Sequence, residues 1–343
     1  MRASSSPRSN VQQMGGTTRR ALTAAAAGLA MAAAMAPLQA SAQGAYPSRP
    51  VTMIVPYPAG GANDAVARLI GLKMADMLGQ PVIIDNKPGA GTTIGTAIVA
   101  RAAPDGYTIV LGSLASHAVS PHLIANPGYD AVTDFAPIGL IGVAPIVATV
   151  NKESPYTTLK QLVDAAKKTP GDVMYGSSGN GSPLHLAGEL FQQASGTKMT
   201  HVPYKGGNAH TMDLIGGRLS VIFDTTTAAM PMIKGDKIRA IAVASPTRLP
   251  DLPNVPTFAE AGYPDFEVTA WYALYAPAKT PPEALARLSS DLGKVMKLPE
   301  VDEKLRALAV KPSYGSAAEL GAYTKTELAK YGKVIKAGNI KAD

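Results

Sequence analysis

Two glycine-rich stretches have the makeup of anion-binding turns. The first, Pro56-Tyr57-Pro58-Ala59-Gly60-Gly61-Ala62-Asn63-Asp64, follows a β-branched run at 51–55 and leads into an amphipathic helical pattern at 65–78. Glycine lets the chain turn tightly and lets a ligand come close to the backbone. The helix start behind it offers unpaired N–H groups and partial positive charge. Such a turn can hold an anion without Lys or Arg. The bland alternative is an ordinary strand-to-helix turn, with Asn63 or Asp64 as its cap. The second stretch, Tyr175-Gly176-Ser177-Ser178-Gly179-Asn180-Gly181-Ser182-Pro183, repeats the logic. Ser182 is a natural helix cap and Pro183 suits the first helical position. Two such turns far apart in sequence point to one shared ligand more strongly than either alone.

Other chemistry is harder to place. The five histidines, His117, His122, His185, His201 and His210, form no HExxH pattern and no spacing typical of a metal site. His185, in the first turn of its helix, either donates to a ligand or is simply satisfied in the fold. Asp224 ends a strand, where parallel sheets bind ligands; the alternative is a turn cap. The segment 89–95 is one residue too long for GxGxxG, and neither a P-loop nor a GxSxG elbow occurs. No nucleophile–base pairing is visible, so an exported hydrolase using Ser178 or Asp224 is the weaker reading. The chain has no cysteine, which excludes disulfides, thiol catalysis and Cys-held metals. No metal and no cofactor are expected.

The elements that must carry these turns alternate as strand and helix. Strands are expected at 51–55, 82–85 and 107–111, with helices at 65–78 and 94–103 between them. The middle repeats the scheme. Strands at 146–150, 173–175, 200–202, 221–223 and 238–244 alternate with helices at 159–168, 184–194 and 208–215. The alternation implies parallel strands with right-handed crossovers. Two strand-like runs followed by proline, at 147–151 and 268–276, read as crossings between two lobes. From Pro282 onward the pattern is helical, with a break at Lys311-Pro312.

The N-terminus reads as an export signal. Residues 1–42 hold Arg2, Arg8, Arg19 and Arg20 and no acid, then an apolar Ala-rich run, then Ala40-Ser41-Ala42 as a small-x-small cleavage pattern. Arg19-Arg20 fits a twin-arginine signal, and an ordinary Sec leader fits equally. Without those residues 28 bases face 25 acids, so the net charge of +7 falls to +3. That leaves little support for a nucleic-acid partner. With 46% apolar residues and 17% charged, the remainder can bury a substantial core.

Several further motifs fall in order along the chain. They are Val-Pro-Tyr-Pro-Ala-Gly-Gly-Ala-Asn-Asp (55–64), Asp-Asn-Lys-Pro-Gly-Ala-Gly (85–91), Pro-Asp-Gly-Tyr-Thr (104–108), the Gly/Ser loop ending at Ser182-Pro183, His-Val-Pro-Tyr-Lys-Gly (201–206), Glu-Ala-Gly-Tyr (260–263) and Trp-Tyr-Ala-Leu-Tyr-Ala-Pro (271–277). In this order they resemble the Bug-type solute receptors of tripartite tricarboxylate transport systems. The resemblance implies an α/β, two-lobed type II periplasmic binding protein (Venus-flytrap) fold after a cleaved signal peptide. Its lobes would be 43–147 with 270–343, and 148–269. It implies a periplasmic protein that binds a small carboxylated solute and delivers it to membrane transport subunits, or reports it to a sensor kinase. A monomer is expected. Residue by residue, the implied ligand contacts are Tyr57, Pro58, Ala59, Gly60, Gly61 and Asp64 in one lobe. In the other they are Ser177, Ser178, Gly179, Asn180, Gly181 and Ser182, with Tyr204 and Asp224 nearby. Ser113 and Ser116, after the third strand, would face the same cleft. Neither Gly-rich turn holds an Arg, which argues against receptors built on a guanidinium clamp.

Overall fold

The computed structural model describes residues 46–180, 182–204, 209–266 and 268–341. The leader at 1–42, Gly181 and the start of the helix expected at 208–215 lie outside them. Among the described residues, no helix is long and apolar enough to cross a membrane.

The first strand–helix alternation forms as expected. Strands β1 (Val51–Val55), β2 (Val82–Asn86) and β3 (Thr108–Ser113) are parallel, with α1 (Ala62–Leu78) and α2 (Thr93–Ala100) connecting them. After β3 the chain makes a π-helical turn at Ala115–Val119 and a short helix α3 (Ser120–Leu123). The next strand, β4 (Phe135–Asn151), is much longer than the 146–150 run that its β-branched residues mark. Pro137, Gly139, Gly142 and Pro145 hide its first half from a propensity reading. Two register shifts, at 137–139 and 140–142, accommodate them. Gly142 is required there by contact: a Cβ would stand 2.7 Å from the Lys311 carbonyl oxygen.

A second alternation follows: α4 (Leu159–Lys168), β5 (Met174–Ser177), α5 (Pro183–Ser195), β6 (Thr200–Pro203), α6 (Ala209–Ile215), β7 (Val221–Thr225), α7 (Thr226–Lys234) and β8 (Ile238–Val243). The chain returns through β9 (Thr269–Pro277) and ends in α8 (Pro282–Val295), α9 (Pro299–Ala307), β10 (Lys311–Gly315) and α10 (Ala317–Ala337). Strand β10 corrects the expectation of a helical C-terminus merely broken at Lys311-Pro312. It is a short strand on β4, exposed enough that its sequence carries no hydrophobic run.

The sheet order is β2-β1-β3-β9-β4-β7-β5-β6, with β10 and β8 also on β4. It is mixed rather than all parallel, because β9 runs antiparallel to both β3 and β4, and β4 antiparallel to β7. Strand β4 is the shared member. Its residues 135–145 pair with β9, and 146–151 pair with β7 and β8. The change of partner therefore starts at Ile146, one residue before the crossing expected at 147–151. Just before β9, the Val268 carbonyl accepts the Ile146 N–H at 3.3 Å. β9 itself stays in the first sheet.

Helices cover both faces of each half. Val66, Ile70 and Met74 of α1 pack with Leu288, Leu292 and Val295 of α8 on one side of the first half, and Leu320, Tyr331 and Ile335 of α10 cover the other. In the second half, Leu162 of α4 and Phe191 of α5 share a cluster with Phe258 and Phe266, and Leu214 and Met230 share another. Each layer buries an apolar stripe that could not stay in water.

Candidate functional site

The first Gly-rich turn is held from beneath. Gly60 has φ +81°, a left-handed conformation in which a side chain is strained. Helix α1 starts two residues later, with Gly61 as its N-cap and no side-chain cap. That corrects the expectation that Asn63 or Asp64 caps it. Asp64 instead reaches back. Its Oδ2 accepts from the Gly60 N–H and from Arg68 Nε, each at 2.9 Å, and its Oδ1 accepts from Asn86 Nδ2 at 3.0 Å. Asn86 also donates to the Tyr57 carbonyl. Burial opposes the charge on Asp64, but Arg68, the Gly60 N–H and Asn86 outweigh it and hold the carboxyl below its usual range. Both oxygens of Asp64 are thus committed to the turn. With no side chain capping α1, the N–H groups of its first turn remain open to a ligand.

The second turn is built differently. Ser177 Oγ accepts from the Gly179 N–H at 3.1 Å and lies 2.6 Å from His201 Nε2. Gly179 has φ +132° and sits against the Tyr204 carbonyl, which a Cβ would approach to 3.0 Å. Ser182 caps α5 as expected, accepting from the His185 N–H at 3.3 Å, with Pro183 at the first position. His185 stacks on His201 with ring centroids 3.9 Å apart and planes 2° apart, and Tyr175 stacks beside both rings. That stack accounts for His185 as part of the fold. The Ser177–His201 pair is a Ser–His contact that the sequence did not foreshadow. Ser177 is fully buried, so the pair braces the turn and presents no exposed nucleophile.

A cavity of about 200 Å³ lies where the two turns meet. Of the residues implied by the resemblance, Tyr57, Ser113, Ser178 and Asp224 line it. Tyr57 Oη and Ser113 Oγ are 2.7 Å apart. Burial pushes the Tyr57 phenol up and raises that of Tyr272 to about 12, so both stay protonated. Ser116 lies beneath: its Oγ accepts from the Ser113 N–H at 2.9 Å and sits 2.8 Å from His117 Nδ1. Asp224 accepts from the Thr225 N–H at 2.7 Å, and its other oxygen is 3.4 Å from His210 Nε2. Capping at this strand end falls to Thr225, which accepts from the Ala228 N–H. Tyr204 donates to Asp213, away from the wall. Pro58, Ala59, Gly60, Gly61, Gly179, Asn180 and Ser182 shape the turns around the cavity without lining it.

The wall also includes residues that were not among the expected ligand contacts: Asn63, Leu184, His210, Thr225, Ala228 and Trp271. Most share one placement. Ala62 and Asn63 open α1, Pro183 and Leu184 open α5, and Thr225 and Ala228 open α7, so three helix N-termini face one cavity. The third, Thr225 onward, could have been found from the strand-to-helix switch directly after Asp224. Trp271 is reached only through the β9 crossing. Among the described residues, no Lys or Arg lines the cavity and no cluster of His, Asp and Glu could hold a metal.

Comparison with known proteins agrees with this geometry. The profile of the family described as "Tripartite tricarboxylate transporter family receptor" matches residues 66–340. The protein BugT of Bordetella pertussis is 33% identical over 309 residues, covering 90% of this chain and 94% of its own. An R. palustris protein solved with adipate is 34% identical with a TM-score of 0.81, covering 87% of this chain and all of its own (100%). MatC from Rhodopseudomonas palustris, solved with bound malate, is 31% identical with a TM-score of 0.77, covering 84% and 100%. The family match takes in most of the described chain, from just after the first Gly-rich turn, and this chain belongs to the Bug-type receptors of the tripartite tricarboxylate transporter family.

Proposed function

We propose that the chain captures a small organic carboxylate in the cavity between the end of β3, β9 and the three helix N-termini, and hands it to the membrane subunits of a tripartite transporter. The convergence of those N-termini on one cavity carries the reading. Each contributes roughly 0.3–1 kcal/mol toward an anion, and more where water is excluded. Backbone N–H donors suit the two oxygens of a carboxylate. About 200 Å³ is the room of six or seven waters at roughly 30 Å³ each, which fits an acid of a few carbons. The bound adipate and malate of the two R. palustris relatives are ligands of that class. Asp224, an acceptor in the same wall, suits a hydroxyl or ammonium on the ligand's other end. Of the implied contacts, Tyr57, Ser113, Ser178 and Asp224 line the cavity, and Asp64, Ser116, Ser177 and Ser182 brace the turns behind them.

The lobes of this reading are 43–147 with 270–343, and 148–269, closing about the β4 and β9 crossings. Ligand would favour the closed form by no more than its difference in affinity between the two forms. Residues 1–42 act as a cleaved Sec or twin-arginine signal that sends a monomeric receptor to the periplasm. Co-purification with transporter membrane subunits is the expected partnership; co-purification with a sensor kinase would move the role to signalling.

A thermal-shift screen of organic acids tests the ligand class. An acid at about 100 times its Kd should add about 2.7 kcal/mol of stability. A hydroxy or amino acid should rank above its unsubstituted analogue, because its hydroxyl or ammonium gives Asp224 a donor that the analogue lacks. Stabilisation by neutral sugars alone would overturn the carboxylate reading. Trp271, the chain's single tryptophan, lies in the cavity wall and should change its emission on binding. Constant emission with a stabilising acid would place that acid elsewhere.

A further inference from the structure

A second, larger cavity of about 810 Å³ lies behind the first. The two share a wall but no lining residue. Along α7 and its cap, Thr225 and Ala228 face the smaller cavity and Met230 faces the larger. Along β9, Ala270 to Tyr272 face the smaller and Thr269 the larger. The larger volume falls within the range of about 300–1,000 Å³ typical of small-molecule sites. We propose that this cavity is a second binding site, for an organic anion with an apolar body, such as an aromatic or medium-chain aliphatic carboxylate.

The lining supports that class. Val143, Pro145, Met230, Leu249 and Val310 give an apolar interior. Arg248, Arg306, Lys311 and Lys330 stand at the rim against Asp251 and Glu327. Both acids are already matched, Asp251 by Lys234 at 3.2 Å and Glu327 by Lys330 at 3.8 Å. Arg248 pairs with Glu260 and Arg306 with Asp302. Lys311 is the rim cation with no ion pair among the described residues. It sits on β10 opposite Val143 of β4 and is exposed. One unmatched positive charge beside an apolar interior suits a ligand with one negative charge and a hydrophobic remainder. The smaller cavity, with three helix N-termini and about a quarter of the volume, suits a more compact and more polar acid.

The probe is 8-anilinonaphthalene-1-sulfonate, an apolar body with one anionic group and too bulky for the smaller cavity. Its fluorescence should rise saturably with one equivalent bound, and octanoate should displace it. Lys311→Glu should weaken the dye about tenfold by placing like charge at the rim. Thr326→Trp, an exposed rim position on α10, should obstruct entry without touching the core. Gly61→Val, at the other cavity, should leave dye binding unchanged, which separates this site from the proposed carboxylate cleft. Circular dichroism confirms that each variant is folded. Equal dye binding in wild type, Lys311→Glu and Thr326→Trp overturns the proposal, as does loss of dye binding in Gly61→Val.

Discussion

Gly61→Val is expected to fold normally and to bind the cognate acid about ten to a hundred times more weakly. The position is permissive in the free protein: Gly61 has φ −87°, which any residue adopts, and the nearest atom to a new Cβ is the Pro58 carbonyl oxygen at 3.7 Å. The branched side chain would stand at the uncapped start of α1, over N–H groups that no side chain occupies. A carboxylate that loses one charge-assisted hydrogen bond loses roughly 1.5–3 kcal/mol, which is the stated factor in Kd. Gly60→Val makes a poor substitute, since φ +81° strains any side chain and confounds binding with folding. Titration calorimetry on the folded Gly61 variant decides the matter. Unchanged affinity would remove the first turn from the site and leave α5 and α7 as the anchors.

The turns were legible because their information is local: glycines, a capping serine and a following proline sit next to one another. The strand–helix alternation was legible for the same reason. The first half of β4 was not, because prolines and glycines fit there only through two register shifts and the close approach of β10. Asp64 has the composition of a helix cap, and only its partners, Gly60, Arg68 and Asn86, show it to be the brace of the turn. Asn86 comes from the neighbouring strand, 22 residues away. The cavity wall contributed by Trp271 and His210 depends on strand order, which no local pattern encodes. Family membership filled part of that gap, since its members are solute receptors and not enzymes. It did not separate lining residues such as Ser113 from supporting ones such as Ser116.

Acid should destabilise the protein through His117, a residue with no place in the sequence-level site. The imidazole is fully buried, stacks on Tyr275 at 4.0 Å and leaves Nε2 without a hydrogen-bond partner. Burial disfavours the charged ring and lowers its pKa to about 3, against about 6.5 in an unfolded chain. Between those values the unfolded state binds a proton that the folded state refuses, so stability falls as pH falls. The loss begins near pH 6.5, grows by about 1.4 kcal/mol per pH unit and is complete near pH 3. At pH 5 it should reach about 2 kcal/mol. His117→Phe keeps a ring against Tyr275 but cannot take the proton. Urea denaturation at pH 7 and pH 5 should therefore show wild type losing about 2 kcal/mol more than the variant over that interval, whatever their stabilities at pH 7. The ring also touches Ser116, which holds the Ser113 N–H, and Ser113 meets Tyr57 in the cavity wall. Protonation forced at low pH should thus weaken acid binding before the chain unfolds. Equal pH slopes for the two proteins would mean that the ring takes its proton in place, with Nε2 finding an acceptor in the folded state.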